Sequence, residues 1–537
     1  MPTLDWIGKQ AVVNHHRKVP LRLLECDRAL SAGDPDSGNL LIEGDNLEAL
    51  KALLPYYKGQ VKCIYIDPPY NTGNEGWVYN DNVNDPRIRK WLREVVGKET
   101  EDLCRHDKWL CMMYPRLMLL REFLRDDGAI FVSLDDNEIQ NLRAIMDEVF
   151  GRRNFVATVI WQKVYAPKNS ARHFSEDHDY IVVYAKNADR WIPNPIRRTE
   201  AQDAAYKNTD NDPRGPWRVD GLSARNPYSR GLYAVTTPSG RVIPGPPKGR
   251  YWSVSEERFK ELDADGRIWW GKDGNNNPGL KRFRSEVKEG RVPQTFWSYK
   301  EVGHTQDAKK ELIAVCDFPD SASVFITPKP TKLLQRILEI ATDKDSIIMD
   351  SFAGSGTTGH AVLAANKADG GTRRFILVEI DPTICREVTR QRLQRVSEGF
   401  ENGERKIEPL GGGFKYCRLG RTLFNEHGEI NGEVPFTDLA RYVYLLETGT
   451  PIPTRPRRDN PLLGVHEGRA VYLLYNGVLG DRRPAGGNVL TRAVLDRLPP
   501  HEGPRVIYGE ACSLSDATLK RLDVTFRQTP YALHKEQ

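Results

Sequence analysis

Residues 61–73 read VKCIYIDPPYNTG. Val61, Ile64, Tyr65 and Ile66 make a short apolar run, and Asp67-Pro68-Pro69-Tyr70 follows it at once. A run of this length, rich in β-branched and aromatic residues and stopped by proline, reads as a buried strand. The two prolines fix φ and give the next turn a rigid course. In open α/β sheets, ligands bind outside the carboxyl ends of the strands, where this acid and this ring lie. A stiff turn with a capping aspartate has the same spelling, so the loop needs support from elsewhere in the chain.

On the amino-terminal side, residues 39–43 (NLLIE) read as a strand, and Leu47, Leu50, Leu53 and Leu54 carry a helical period after it. Asp45 stands between the two, as an N-cap or as an acceptor for a ligand amino group. On the carboxyl side, residues 71–84 read as a loop over the site, and 88–103 as a charged helix. A long apolar-faced helix over 109–124, a strand over 129–134 and a helix over 138–150 follow, then strands near 154–161 and 180–184. Alternating strands and helices predict a parallel sheet covered on both faces.

That rhythm breaks over 187–320, where Gly, Pro, Asn and Trp are dense, and resumes with a helix at 331–341 and a strand at 347–349. The strand runs into Asp350-Ser351-Phe352-Ala353-Gly354-Ser355-Gly356-Thr357-Thr358-Gly359 and another helix. Glycines allow positive φ and let a ligand approach the backbone. A following strand, RRFILVEI at 373–380, brings Glu379 to its end, where an acid can hold ribose hydroxyls. The turn lacks the Gly-Lys-Ser/Thr of a phosphate loop and the GxGxxG spacing of a nicotinamide site.

Together, in this order, the two motifs resemble those of β-class DNA amino methyltransferases, and residues 293–312 and 350–362 bring the likeness closer to the Mod subunits of type III restriction–modification systems. The resemblance covers about residues 39–397. It implies a Rossmann-like α/β sheet dependent on S-adenosylmethionine, circularly permuted, with an inserted irregular α+β target-recognition domain and a small C-terminal α/β domain. It divides the chain into an extension (1–38), a catalytic half (39–186), the insert (187–320), a cofactor half (321–397) and an accessory or interaction domain (398–537). Asp67, Pro68, Pro69 and Tyr70 would be catalytic. Asp350, Phe352, Ala353, Gly354, Ser355, Gly356 and Thr357 would line the donor, with Glu379 on its ribose and Asp45 on its adenine. Lys329 and Pro330, in Thr327-Pro328-Lys329-Pro330, would close over its methionine end. Ser351 and Pro328 depart from the usual Pro and Gln.

The implied reaction is methyl transfer from S-adenosylmethionine, without a metal, to N6 of an adenine flipped out of duplex DNA. Cytosine N4 and RNA amino groups are the alternatives; Asp rather than Ser at position 67 favours adenine. The resemblance also implies a homodimer and a separately encoded restriction or helicase subunit.

Composition agrees with a multidomain globular chain of 537 residues. Residues 151–300 hold 27 Lys and Arg against 17 Asp and Glu, and seven of the eleven tryptophans, a mixture suited to nucleic acid. Trp269-Trp270 reads as core packing, with an exposed wedge as the alternative. No run of about 18 apolar residues is present to span a membrane. An N-terminus without an apolar stretch predicts a cytoplasmic protein. Eight scattered cysteines without a CxxC pair predict reduced thiols and no metal site.

Overall fold

The computed structural model describes residues 3–72, 90, 93–96, 104–287, 289–318, 327–403, 405–478 and 481–534. The loop expected over 71–84 lies outside them beyond Thr72, as does most of the helix expected over 88–103.

Ten strands form one sheet: β1 (Arg22–Gly33), β2 (Leu40–Glu43), β3 (Val61–Ile66), β4 (Leu124–Leu134), β5 (Phe155–Gln162), β6 (His178–Ala185), β7 (Phe296–Trp297), β8 (Ile347–Asp350), β9 (Arg374–Glu379) and β10 (Gly413–Thr422). Their order across the sheet is β1-β10-β2-β9-β8-β3-β4-β6-β5-β7. The six strands from β10 to β4 run parallel, while β1, and β6 against β4 and β5, pair antiparallel. Every residue of β8 is buried, as are five of six in β3 and in β9, because helices cover both faces of the parallel block.

Seven helices matter for the site or its support: α1 (Asn46–Tyr57), α2 (Arg105–Phe123), α3 (Thr305–Val315), α4 (Thr331–Ala341), α5 (Thr357–Asp369), α6 (Arg390–Glu398) and α7 (Phe436–Thr448). The chain leaves β3 through α2 for β4 on one side, and leaves β8 through α5 for β9 on the other. Since β8 and β3 are hydrogen-bonded neighbours, their outgoing loops part and leave a crevice between them. A switch of this kind is where α/β sheets bind ligands.

Residues 195–293 form a compact unit of their own, narrower than the insert expected over 187–320. The difference arises because β7 pairs parallel with β5, and α3 and the residues before it belong with the main sheet. Within the unit, a three-stranded antiparallel sheet and short hairpins enclose Leu222, Val235, Trp252, Phe259, Ile268 and Trp270. Trp270 is buried and Trp269 packs against Trp217 at 5.0 Å between ring centroids, so this pair is core. Lys281, also buried, is held by Asp210 and by Asp212 (3.1 Å).

The ends of the chain also differ from the expected divisions. β1 lies within the presumed extension and β10 within the presumed accessory domain, yet they pair and carry the sheet to its edge. Further on, α7 and a separate four-stranded sheet enclose a second core that includes Val443, Tyr444, Val471 and Val506. The register of β1 on β10 sets Cys26 opposite Cys417, and the two are joined as a disulfide. The expectation of reduced thiols therefore fails for this pair. Its members stand 391 residues apart, so no local spacing announces them. The six other cysteines are not in disulfides.

Candidate functional site

The crevice between β8 and β3 opens into a cavity of about 620 Å³. Asp67, Pro68, Pro69 and Tyr70 line one wall, and Asp350 through Ser355, Thr357 and Glu379 line another. The two motifs, far apart in the chain, thus meet on adjacent strands. Thr327, Pro328 and Lys329 close a further side.

The DPPY loop is held from below. The indole N–H of Trp109, wholly buried in α2, donates to the Pro69 carbonyl at 2.7 Å. Asn71 takes a positive φ of 56°, a left-handed conformation Asn tolerates better than most residues. Its side-chain amide donates to the Arg105 carbonyl (3.1 Å) and to the buried carboxylate of Glu138. The same carboxylate meets His106 Nδ1 at 2.7 Å.

Asp67 is asymmetric. Its Oδ2 accepts from Lys329 Nζ at 2.5 Å. Its Oδ1 is shut off from solvent and has no hydrogen-bond partner among the described residues. A buried acceptor without a donor costs about 1–3 kcal/mol, which a ligand N–H recovers. Burial pushes the Asp67 carboxyl above its ordinary range; Lys329 pulls it back, and nearby Asp179 adds to the rise. Tyr70 sits beneath the Lys329 ammonium, 5.0 Å from its ring centroid, and donates its hydroxyl to Asp179 Oδ2 at 3.2 Å. Lys163 closes the set with Nζ 2.6 Å from Asp179 Oδ1.

On the Gly-rich side, much of the polar chemistry is spent on building the turn. Asp350 accepts from the Phe352 amide (3.0 Å) and from the Thr358 hydroxyl (2.5 Å). Glu379 accepts from the amides of Gly354 (2.8 Å) and Asp381 (2.9 Å). Burial raises both carboxyls to about 7. A carboxylate offers about four lone-pair sites, so Glu379 keeps capacity toward the cavity. Gly356 takes φ 75° at the start of α5, and Ser351 Oγ is buried without a partner among the described residues. Glycine backbone, acceptor carboxylates and a vacant hydroxyl suit a donor with ribose hydroxyls, an amino group and a positive charge.

Asp45 stands one residue before the lining Asn46. It caps α1 through the amides of Leu47 (2.8 Å) and Glu48 (3.3 Å), and pairs with the buried Arg116 at 3.2 Å. It is not among the cavity's lining residues; Asn46 is, and its amide donates to the Ser351 carbonyl at 2.9 Å. Gly356 and Pro330 also stay behind the cavity wall rather than on it.

Sequence reasoning missed Lys163, Asp179, Tyr165 and His304, which line the cavity. For Asp179 the reason is orientation. Asp179 begins a strand that runs antiparallel to β4, so the start of β6 shares a sheet edge with the end of β3. Strand direction is not written in local periodicity. Arg392 was also missed: wholly buried in α6, it donates to the hydroxyls of Thr357 (2.8 Å), Ser355 (3.2 Å) and Thr331 (3.1 Å) and so braces the Gly-rich turn against α4.

A family model described as DNA methylase matches residues 61–390, which take in both walls of the cavity. The StyLTI Mod subunit, a type III restriction–modification enzyme component of Salmonella typhimurium, is 36% identical over 448 residues, covering 78% of this chain and 66% of that protein. The EcoPI Mod subunit of Escherichia phage P1 is 32% identical over 73% of this chain and 68% of its own length. The type II methyltransferase M.KpnI of Klebsiella pneumoniae is 30% identical over 71% and 92% respectively. The chain spans about two thirds of the length of the two Mod subunits. With more than half its residues under the family model, and an α/β methyltransferase sheet that sets both motifs on one crevice, the chain belongs to the DNA methylase family.

Proposed function

We propose that the chain transfers a methyl group from S-adenosylmethionine to N6 of an adenine rotated out of duplex DNA, as the modification subunit of a type III restriction–modification system. The observation that carries the chemistry is the buried, unpartnered Asp67 Oδ1 on a rigid loop facing the Gly-rich wall. The likeness to Mod subunits over some three quarters of the chain supports the biological setting.

Asp350, Phe352, Ala353, Gly354, Ser355 and Thr357 would hold the donor, with Glu379 on its ribose and Gly356 giving the turn its course. When bound, S-adenosylmethionine supplies an electrophilic methyl on a sulfonium. An exocyclic adenine nitrogen is a poor nucleophile because its lone pair is delocalised into the ring. Asp67 Oδ1 and the Pro68 carbonyl would accept its two hydrogens, which makes the nitrogen more tetrahedral and aims the lone pair. Acceptors fixed before the reaction need no reorganisation during it, and this is where such sites gain most of their rate. Tyr70, pinned at its hydroxyl by Asp179, would stack on the base. The carboxylates of Asp67, Asp179 and Asp135 line the same cavity and would stabilise the positive charge that grows on the amino nitrogen as the S–CH3 bond breaks, before one of its protons is released to solvent.

The 195–293 unit, with Arg225, Arg230, Arg241, Lys248 and Lys272 exposed, would supply sequence reading and phosphate contacts. A homodimer, a separately encoded restriction subunit and a cytoplasmic setting belong to the same proposal. No helix among the described residues is long and apolar enough to cross a membrane.

The test is a nucleoside digest of duplex DNA after incubation with labelled S-adenosylmethionine. N6-methyladenine is expected, and Asp67→Ala abolishes it. N4-methylcytosine in the digest, or label found only in RNA, rejects the adenine reading.

A further inference from the structure

Lys329 connects the two walls of the cavity. Its main chain belongs to the donor side: the Lys329 carbonyl accepts from the Thr357 hydroxyl at 3.1 Å, and Pro330 then caps α4. Its side chain belongs to the other side, with Nζ 2.5 Å from Asp67 Oδ2 and 5.0 Å from the Tyr70 ring centroid. Lys329 is only 8% exposed, so this placement is built in.

We infer that Lys329 is a positioning residue for Asp67, not a contact for the methyl donor: it engages Oδ2 and leaves Oδ1 without a protein donor, to be taken by the target amino group. The inference rests on the methyl-transfer reading above. A free ammonium beside a sulfonium sets like charges against each other in a cavity of low dielectric. Paired with Asp67, the same ammonium is neutralised.

The pairing also sets the charge state of the acid. The charged and titratable groups facing Asp67 are Lys329, Tyr70, Tyr65, Asp350 and Asp179, the last paired with Lys163. Burial and Asp179 favour the protonated carboxyl, whereas Lys329 is the cation that opposes them. A protonated Asp67 turns one acceptor oxygen into a donor and cannot orient an amino group in the same way. Lys329 therefore extends the working range of Asp67 toward lower pH.

Lys329→Met, Lys329→Gln and Lys329→Arg in the full chain test this. Methyl transfer is measured in single turnover with both substrates saturating, from pH 5.5 to 9, and S-adenosylmethionine binding is measured separately by calorimetry. An opposite charge at this distance lowers a carboxyl by about 1–3 pH units, so in Lys329→Met the acid limb of the rate profile moves up by that amount. Lys329→Gln, which retains a neutral donor and is the fallback if the Met variant does not fold, moves the limb likewise with a smaller loss of rate. Lys329→Arg restores it. At any one pH the donor Kd is the same in the wild-type protein and the three variants, and Lys329→Met adds no further loss to Asp67→Asn. A weakened donor Kd with an unmoved acid limb assigns Lys329 to the donor and overturns the inference. Failure of the adenine reading shows separately, in the base that the wild-type protein methylates.

Discussion

Glu379→Gln probes the Gly-rich turn through the dependence of stability on pH. Glu379 is buried, and its two oxygens accept backbone N–H groups of Gly354 and Asp381. Burial lifts its carboxyl from an ordinary 4.5 to about 7, the two backbone bonds pulling weakly the other way. Between those values the folded chain holds a proton that the unfolded chain has released. The stability contributed by the protonated acid is thus fully present below about pH 4.5 and is lost as pH rises through about 7. At about 1.4 kcal/mol per pH unit, the interval is worth about 3 kcal/mol. Glutamine has nearly the same shape and no charge to bury, but it sets an NH2 against one of the two backbone N–H groups, a constant cost of about 1–3 kcal/mol. Calorimetric unfolding of both proteins from pH 5 to 8.5 separates the two effects. The variant is the less stable at pH 5, and its deficit shrinks or reverses by pH 8. Parallel stability curves would refute the assignment of a buried, proton-holding Glu379. The same ionisation gives the wild-type protein a stronger acceptor for ribose hydroxyls at higher pH, so donor affinity rises across pH 6–8 and does not in the variant.

Two further perturbations test the scaffold. Gly356→Ala forces a side chain into φ 75° and sets its Cβ 3.0 Å from Thr389 Cγ2; a loss of about 1–2 kcal/mol and weaker donor binding are expected in thermal melts and calorimetry. Lys281→Met removes the cation that Asp210 and Asp212 share, while Arg214 still pairs with Asp212 at 2.8 Å. The expected cost is about 1–2 kcal/mol, confined to the 195–293 unit: limited proteolysis then cuts within that unit first, transfer to DNA is weakened, and donor binding survives.

Much of the catalytic wall could be read from the chain because its signals are local. A buried strand, two prolines, an acid and a ring are contiguous at 61–70, and the strand, Gly-rich turn and helix are contiguous at 347–369. Nothing in either stretch states that β3 and β8 are neighbours, yet the family order of motifs anticipated it. What escaped reading depends on long-range pairing. β1 and β10 have their partners hundreds of residues away, and their half-buried patterns resemble those of any edge strand. Asp179 escaped because a residue at the start of a strand faces the active edge only if that strand runs antiparallel, and Lys163, just past the end of β5, escaped because its partner is Asp179. Asp45 shows the reverse case. Its position before α1 was legible, and both its ordinary use as a cap and a ligand-binding use fitted the spelling; the buried Arg116 that occupies its carboxylate comes from α2, far along the chain. Polar groups near a site are often spent on one another, and sequence does not show which of them are left over.

Ile196 and Arg291 exchange backbone hydrogen bonds of 2.8 and 2.9 Å at the base of the 195–293 unit. The unit is closed by its own bridge. Seen from the rest of the chain, a long excursion leaves and returns at almost one point, so its length barely enters the entropy of assembling the main sheet, since closure cost grows only as the logarithm of loop length. One such excursion can be exchanged for another, longer or shorter, without re-engineering the sheet that receives it. The bridge makes the unit a self-closed cartridge, and an exchange made at its two ends leaves the pairing of the main sheet in place.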